Sequence, residues 1–228
     1  DIDIVIGGPP CQPFSSAGRQ KGLDDFRGNA IYEYIRIIKE IRPKVFLLEN
    51  VRGLLSSKLN SIPNSLEEDY HKLVGKKGSV LYFITNELSK LGYKISFTLF
   101  DTANYGVPQK RERFLIFGSL TGIEVPLPQP THNEKGSKGL KPWNTLKDAI
   151  GDLSADDKDH SFIELREKSI KYLKKLSGGQ NWRDLTIEDQ KEALGNSYHL
   201  GGGKTGFLRR LSWDSPSPTL VTSPTMPA

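Results

Sequence analysis

The only cysteine of the chain is expected to lie in a loop with little conformational freedom. Pro9 and Pro10 precede Cys11 and Pro13 follows it closely, and each proline ring fixes its own φ near about −65° and removes a backbone donor. The apolar run at residues 2–7 predicts a buried strand that ends where this loop begins. An isolated cysteine is most often a small buried apolar residue, whereas a thiol held at a strand end is placed to act as a nucleophile. We therefore predict that Cys11 is a catalytic nucleophile.

A carboxyl group ends the next apolar run. Residues 44–49 form a stretch long enough for a strand and too short for a helix, and it finishes at Glu49. Since the carboxyl ends of parallel strands meet at one edge of an open α/β sheet, Glu49 is expected close to Cys11. Burial at this edge would favour the neutral form of the carboxyl group, which can donate a proton. The alternatives for Glu49 are a helix N-cap and a loop salt bridge.

A cluster of basic residues precedes another apolar run. Residues 109–113 are Gln-Lys-Arg-Glu-Arg, and a strand pattern follows at 113–117. Basic residues before a strand most often form a solvated surface, but Arg111 and Arg113 also offer forked donors and permanent charge to a reacting anion. The net charge of the chain is only +5, so strong contact with nucleic acid depends on local clusters such as Lys110, Arg111 and Arg113.

Strand and helix patterns alternate through residues 1–120 and would position these side chains. Isoleucines at helical spacing predict a helix over Asn29–Ile41. A second helix begins at Ser79 and is ended by Gly92. The predicted strands lie at residues 2–7, 44–49, 93–100 and 113–117, with mostly loop at 56–78. This order predicts an α/β fold with an open sheet, of which these residues supply about half.

The alternation of strand and helix patterns ends after residue 120. Four prolines between positions 126 and 142 punctuate a linker-like stretch. Two short helices are predicted, one capped by Ser161 with Glu164 three residues later and one over Ile187–Leu194. The three tryptophans, Trp143, Trp182 and Trp213, are predicted to be core residues, and the alternative for each is a position that faces DNA.

Composition limits the class of protein. The chain has 228 residues, of which 36% are hydrophobic and 26% charged, which is ordinary for a globular domain with a smaller second lobe. No stretch is apolar enough to span a bilayer, and no signal peptide is visible. A single cysteine excludes an internal disulfide, and with four histidines it makes a zinc cluster unexpected. An unpaired thiol fits a reducing, cytoplasmic location.

Several motifs of the sequence resemble those of one enzyme family and occur in the same order as in that family. Residues 8–15, Gly-Pro-Pro-Cys-Gln-Pro-Phe-Ser, resemble the nucleophile motif of the cytosine-C5 DNA methyltransferases of bacterial restriction-modification systems. Further segments resemble later motifs of this family: Asp24 with Arg27-Gly28, Glu49-Asn50-Val51, residues 105–113, residues 209–213 and residues 216–219. The resemblance therefore covers nearly the whole chain.

The resemblance implies a fold and an activity. The fold would be part of a Rossmann-like, S-adenosylmethionine-dependent methyltransferase sheet with a small target-recognition lobe. Residues 1–120 would form the catalytic domain, 121–206 the lobe, and 207–228 the start of a return to the catalytic domain. The reaction would transfer a methyl group from S-adenosylmethionine to C5 of a cytosine in double-stranded DNA, through a covalent adduct of Cys11 to C6 and flipping of the base. No metal is implied.

The same resemblance assigns roles to individual residues. Cys11 would attack C6, Glu49 would donate to N3, and Arg111 and Arg113 would position the flipped cytosine. The residues implied to border the methyl donor are Pro10 and Ala30. Those implied to contact DNA are Gln12, Ser15, Gln109, Lys110, Arg209 and Arg210.

Two family motifs are not found in the 228 residues: the first, which with an acidic residue holds the donor, and the tenth. We expect an excised middle portion, or one chain of a split enzyme with a complementing partner, and expect the isolated chain to be inactive. The alternatives are the tRNA-methylating branch of the family and a non-catalytic DNA-binding fragment. A Cys-His hydrolase is disfavoured because no histidine sits in a loop comparable to that of Cys11. The four histidines are His71, His132, His160 and His199.

Overall fold

The computed structural model describes residues 2–10, 29–59, 68–154, 156, 164–199 and 208–220. They belong to two compact units. The first comprises Asp1–Asp101 and Glu112–Gln129, and the second comprises Thr102–Arg111 and Pro130–Ala228. The boundaries predicted at residues 120 and 206 concern functional lobes and stay predictions. No helix in the described ranges is both long and apolar enough to cross a membrane.

Strands and helices alternate in the first unit and are short in the second. The strands are β1 (Ile4–Gly7), β2 (Val45–Asn50), β3 (Lys94–Asp101), β4 (Gln109–Lys110), β5 (Glu112–Ser119), β6 (His132–Asn133), β7 (Lys141–Pro142) and β8 (Ser217–Pro218). The helices are α1 (Asn29–Ile41), α2 (Glu68–His71), α3 (Ser79–Lys90), α4 (Leu146–Ile150), α5 (Glu167–Leu173) and α6 (Ile187–Leu194).

The first unit contains a four-stranded mixed sheet in the order β1-β2-β5-β3. β1 and β2 are parallel, and β5 runs antiparallel to both β2 and β3. The predicted α/β class is therefore confirmed, and α1 has the predicted bounds. Ser79 is the first residue of α3, as predicted, but the N-cap is Gly78 in the left-handed region at φ 80°. The Ser79 hydroxyl instead accepts a hydrogen bond from the Leu59 amide at 2.8 Å.

The core of this unit lies on one face of the sheet. Alternate residues of β2 and β5 share that face because side chains of a strand point to opposite sides in turn. The fully buried members there include Phe46, Leu48 and Ile116. Helix α1 approaches the sheet so closely that a Cβ at Gly7 would overlap the Tyr34 ring. The Tyr34 hydroxyl donates to the Leu47 carbonyl of β2 at 3.0 Å, so Tyr34 packs against β1 at Gly7 and is hydrogen-bonded to β2.

The prediction that the first strand is buried is wrong. Ile4 is 59% exposed and Ile6 is 71% exposed, whereas Val5 between them packs against the core. β1 is an edge strand of the four-stranded sheet, and only the face that carries Val5 meets the core of this unit. An apolar run of this length has the same composition whether one face or both are covered, so periodicity could not separate the two cases.

A separate core lies in the second unit. Tyr172, Leu176, Trp182, Leu185 and Leu208 are its buried members. Helix α6 has the predicted bounds, and its N-cap Thr186 accepts a hydrogen bond from the Asp189 amide. The core prediction is confirmed for Trp182, which is 7% exposed, and wrong for Trp213, which is 53% exposed in a turn.

One predicted helix begins later than its sequence signal suggests. Ser161 lies outside the described residues, but Glu164 is not helical, and α5 starts at Glu167 without a side-chain cap. Two capping boxes occur elsewhere, formed by Thr145 with Asp148 and by Asn181 with Asp184. In these pairs the third residue is Asp instead of Glu, and the shorter carboxylate still reaches the N-cap amide.

Candidate active site

Three strand ends meet at one edge of the sheet in the first unit. Parallel pairing aligns Gly7 of β1 with Leu48 of β2, so both strands end at the same edge. Antiparallel pairing of Asn50 with Phe114 brings the start of β5 to that edge as well. The predicted proximity of Glu49 to the loop after β1 is therefore a consequence of strand direction, and β5 adds Arg113 to the same place.

Glu49 and Arg113 form an ion pair at this edge. Arg113 Nε lies 2.6 Å from Glu49 Oε1, and the two side chains are 25% and 38% exposed respectively. Glu49 lies directly opposite Leu115, so Arg113 is its diagonal neighbour on the same face, within reach of a long side chain. The carboxyl group is thus half-buried, and it forms a salt bridge, which is one of the alternatives that the sequence leaves open for Glu49.

The second oxygen of this carboxylate faces the loop that leads to the cysteine. Glu49 Oε2 lies 3.3 Å from the position that a Cβ would take at Gly8. Among the described residues, no other atom outside the chain neighbours of Gly8 lies within 4 Å of that position. Glu49 therefore has one oxygen held by a guanidinium and one beside the backbone of the loop, three residues before Cys11.

A second ion pair lies next to the first. Arg52 Nη1 contacts both carboxylate oxygens of Glu112, at 2.9 and 3.0 Å. The Glu112 carbonyl in turn accepts a hydrogen bond from Arg113 Nη1 at 2.8 Å. Arg113 is consequently fixed by Glu49 at Nε and by the backbone at Nη1, and its charge stays at the edge of the sheet.

Asn50 contributes to the site although sequence analysis did not select it. Its side chain is fully buried. Oδ1 accepts a hydrogen bond from the Val51 amide at 2.9 Å, and Nδ2 makes a long contact of 3.5 Å to the Pro9 carbonyl. A buried amide needs such partners, so Asn50 ties the end of β2 to the loop after β1. Its signal in the sequence is a polar residue at the end of an apolar strand.

The predicted site residues divide into three groups. Cys11, Gln12 and Ser15 lie outside the described residues. The loop after β1, Glu49 and Arg113 come together in the first unit, with Pro10 exposed at the end of that loop. Arg111 falls in the second unit, where its carbonyl accepts a hydrogen bond from the Thr102 amide at 3.2 Å.

Other predicted DNA-contacting residues lie in the second unit. Gln109 and Lys110 form β4, which pairs in parallel with β8 at Ser217 and Pro218. The Lys110 ammonium lies 4.2 Å from the centre of the Trp143 ring, a cation–π contact. The Lys110 carbonyl accepts a hydrogen bond from Thr219 Oγ1 at 3.1 Å. The motif-like segments at residues 105–113 and 216–219 are thus neighbours in space.

Arg209 and Arg210 have different surroundings. Arg209 is half-buried, whereas Arg210 is exposed. Arg210 Nη1 donates to the carbonyls of Leu173 and Leu176, both at 3.3 Å. Arg210 therefore satisfies carbonyl groups at the end of α5, as basic side chains often do at helix C-termini.

Two small or apolar residues near the start of the site are candidates for contact with a small-molecule ligand. Pro10 is exposed after β1, and Ala30 is a small, half-buried residue in the first turn of α1. Pro10 and Ala30 suit the flat apolar face of a nucleoside, and the position at the end of a strand is where ligands of such sheets bind. Within the described ranges, no group of three or more His, Cys, Asp or Glu side chains could hold a metal ion.

Comparison with known proteins agrees with the motifs. The family model for C-5 cytosine-specific DNA methylases matches residues 1–200. The type II methyltransferase M.PspPI of Psychrobacter sp. (strain TA137) is 42% identical over 98% of this chain and 49% of its own length. M.Eco47II of Escherichia coli is 38% identical with the same coverage. M.NgoFVII of Neisseria gonorrhoeae is 32% identical over 98% of this chain and 54% of its own length. The chain spans about half the length of these relatives.

Proposed function

Because this chain belongs to the family of C-5 cytosine-specific DNA methylases, we propose that its protein methylates C5 of a specific cytosine in double-stranded DNA. The observation that carries the proposal is the Glu49 carboxylate, held by Arg113 and facing the backbone of the thiol loop at Gly8. The names of the relatives support a role as the modification enzyme of a type II restriction-modification system.

The proposed reaction begins with the thiol. C5 of cytosine is a poor nucleophile, and addition of the Cys11 thiolate to C6 makes the ring an enamine whose C5 carries negative character. A proton delivered to N3 neutralises the charge that develops during this addition. C5 then accepts the methyl group, loses its proton, and the Cys11 thiolate leaves to restore the ring.

Glu49 and Arg113 have different electrostatic roles in the proposed reaction. Oε2 of Glu49 lies on the side of the loop and is the oxygen that would carry the proton to N3. Arg113 holds Oε1 and would place its remaining guanidinium donors toward O2 of the cytosine. Donors fixed before the reaction stabilise developing charge without reorganisation, and the backbone contact of Arg113 supplies this rigidity.

S-adenosylmethionine, bound against Pro10 and Ala30, would supply an electrophilic methyl group. The target base must leave the duplex to reach the edge of the sheet, since C5 and C6 are inaccessible to a thiol within stacked DNA. Gln12, Ser15, Gln109 and Lys110 are proposed to contact the DNA around this base. Arg111 is proposed to assist in holding the flipped cytosine.

The proposal is tested by trapping the adduct on DNA that carries 5-fluorocytosine at the target position. Fluorine at C5 cannot be removed as a proton, so the enzyme stays bonded to C6 when the methyl donor is present. The intact gene product should give a denaturant-resistant protein–DNA band. Cys11→Ala should abolish it while DNA binding persists.

Two controls sharpen this experiment. Cys11→Ser keeps the size and polarity of the side chain without the nucleophilic thiolate, and it should also give no band. A tRNA substrate tests the other branch of the family and should not be methylated. An undiminished band with Cys11→Ala would show that Cys11 is not the nucleophile.

A further inference from the structure

A cavity in the second unit is lined by two of the predicted DNA-contacting residues, Arg209 and Arg210, and by residues to which no role has been assigned. It has a volume of about 330 Å³ and lies between α5 and the segment at 209–211. Its lining residues are Ile170, Leu173, Lys174, Arg209, Arg210 and Leu211. Three of these carry a positive charge, and none carries a negative charge. The segment is fixed in place by backbone hydrogen bonds of Arg210 to Gly179 and Gln180, both 2.8 Å.

The three cations are not equivalent. The guanidinium of Arg210 is occupied by the carbonyls of Leu173 and Leu176, so its role in the cavity is in part structural. The Nε atom of Arg209 is buried, and no described group accepts a hydrogen bond from it. Lys174 is the exposed C-cap residue of α5 and has no carboxylate within ion-pair distance among the described residues.

Arg209 carries the electrostatic argument. Burial lowers the pKa of its guanidinium below the ordinary value. A buried donor without a hydrogen-bond partner costs free energy, which a hydrogen bond from Nε to a bound anion would recover. Together with the two other positive side chains of the lining, this unpaired donor favours a negative ligand over a neutral one.

The apolar residues of the lining limit the chemical class of the ligand. Ile170, Leu173 and Leu211 provide an apolar surface beside the charges. A free inorganic anion would gain nothing from these side chains. The sugar–phosphate backbone of DNA presents a deoxyribose ring, with an apolar edge, next to each phosphate, and phosphates are bound by arginine and lysine side chains.

We propose that this cavity binds one backbone phosphate of the DNA substrate between Lys174 and Arg209, with the adjoining deoxyribose against Leu173 and Leu211. This inference rests on the proposed function, because it assumes a DNA substrate. In this proposal Lys174 binds DNA, and Arg210 has a structural role, because its side chain holds the wall of the cavity in place. Such a contact fixes the position of the protein on the duplex without reading its sequence.

The test compares Lys174, the C-cap residue of α5, with Lys168 within that helix. Lys174 lines the cavity and Lys168 does not, and both are exposed. Binding of the intact gene product to a duplex is measured by fluorescence anisotropy between about 50 and about 200 mM salt. Lys174→Gln should reduce the slope of log Kobs against log salt by about 0.9, the value for one lost phosphate contact. Lys168→Gln should leave the slope unchanged.

A scan with neutral linkages identifies the phosphate. Duplexes with one methylphosphonate at successive positions remove one charge at a time. At one position the substitution should weaken binding of the unmodified protein and of Lys168→Gln several-fold, but have no further effect on Lys174→Gln. Arg209→Lys, which keeps the charge and lacks Nε, should lose affinity at the same position while its thermal midpoint stays close to that of the parent.

The outcomes separate this inference from the proposed function. Equal slopes for Lys174→Gln and Lys168→Gln, or a scan with no position that distinguishes them, would overturn the cavity assignment while methylation of the duplex still stands. If the cavity instead bound an acidic protein segment, the two variants would likewise show equal slopes, and the scan would find no position that distinguishes them. Absence of both DNA binding and methylation in the parent protein would instead contradict the proposed function itself.

Discussion

The carboxylate of Glu49 engages Arg113 with one oxygen and faces the backbone of Gly8 with the other. Oε1 lies 2.6 Å from Arg113 Nε, and Oε2 lies 3.3 Å from the position of a Cβ at Gly8. Parallel pairing of β1 with β2 and antiparallel pairing of β2 with β5 produce this arrangement. It places an acid and a fixed cation beside the loop that carries the only cysteine.

Replacing Glu49 by Gln should lower the rate of methyl transfer by roughly 10² to 10⁴, the usual contribution of a general acid. The amide keeps the shape of the side chain but cannot deliver a proton to N3. Single-turnover transfer of a labelled methyl group to duplex DNA measures the effect, and DNA affinity should change little. Glu112→Gln is the matched control, since it also removes a carboxylate paired with an arginine. It should stay within a few-fold of the parent, and a Glu49→Gln rate equally close would rule Glu49 out as the acid.

Arg113 and Glu49 should be energetically coupled. Arg113→Ala removes the partner of Oε1 and the donors proposed for cytosine O2, so it should weaken both base binding and turnover. Because the two side chains are in contact, their effects on turnover should not add. A double-mutant cycle with Glu49→Gln measures this. Arg113→Ala should cost much less in the Glu49→Gln background than in the parent, and strictly additive losses would show that the ion pair has no part in the rate.

The adjacent glycines at the end of β1 should respond differently to the same change. Gly7→Ala forces a Cβ into the Tyr34 ring and should destabilise the fold by roughly 1–3 kcal/mol, the usual cost of overpacking. Among the described residues, the new Cβ of Gly8→Ala meets the Glu49 carboxylate alone, so this change should lower turnover with little effect on stability. Thermal unfolding and methyl transfer, measured on both variants, check the contrast. A Gly8→Ala enzyme with full activity would place the reaction away from Glu49 Oε2.

The ion pair of Asp189 with Lys175 should make the second unit sensitive to acid. The Lys175 ammonium lies 2.6 Å from Asp189 Oδ1, and this hydrogen bond holds the pKa of the carboxyl group below its ordinary value. A lowered pKa stabilises the fold above the unfolded-state value of about 3.9 and loses that stabilisation as pH falls through the folded-state value. Asp189→Asn should therefore lower the urea midpoint at neutral pH and match the parent in strong acid. Glu188→Gln, on the same helix, should show no such pH dependence, and a constant deficit of Asp189→Asn would contradict the mechanism.

Much of the local structure was predictable from the sequence because it depends on neighbouring residues. Isoleucines at helical spacing set α1 at its observed bounds, and Thr186 marks the start of α6. The end of β2 at Glu49 and Asn50 followed from the length of an apolar run. The helix predicted after Ser161 begins only at Glu167, because a capping pattern of two residues does not fix a helix start without the packing that stabilises the turns after it.

The sequence by itself determined which chemical groups are present and the order in which they occur: one thiol after a strand, a carboxyl group after the next, and arginines before another. Tertiary structure decided which of them meet. Glu49 contacts Arg113 although 63 positions separate them in the numbering, because β5 lies beside β2 and runs in the opposite direction. The sequence also could not predict three features that depend on which other parts of the fold lie nearby: the exposure of Ile4 and Ile6, the contact of Asn50 with Pro9, and the buried Nε of Arg209 that has no hydrogen-bond partner among the described residues.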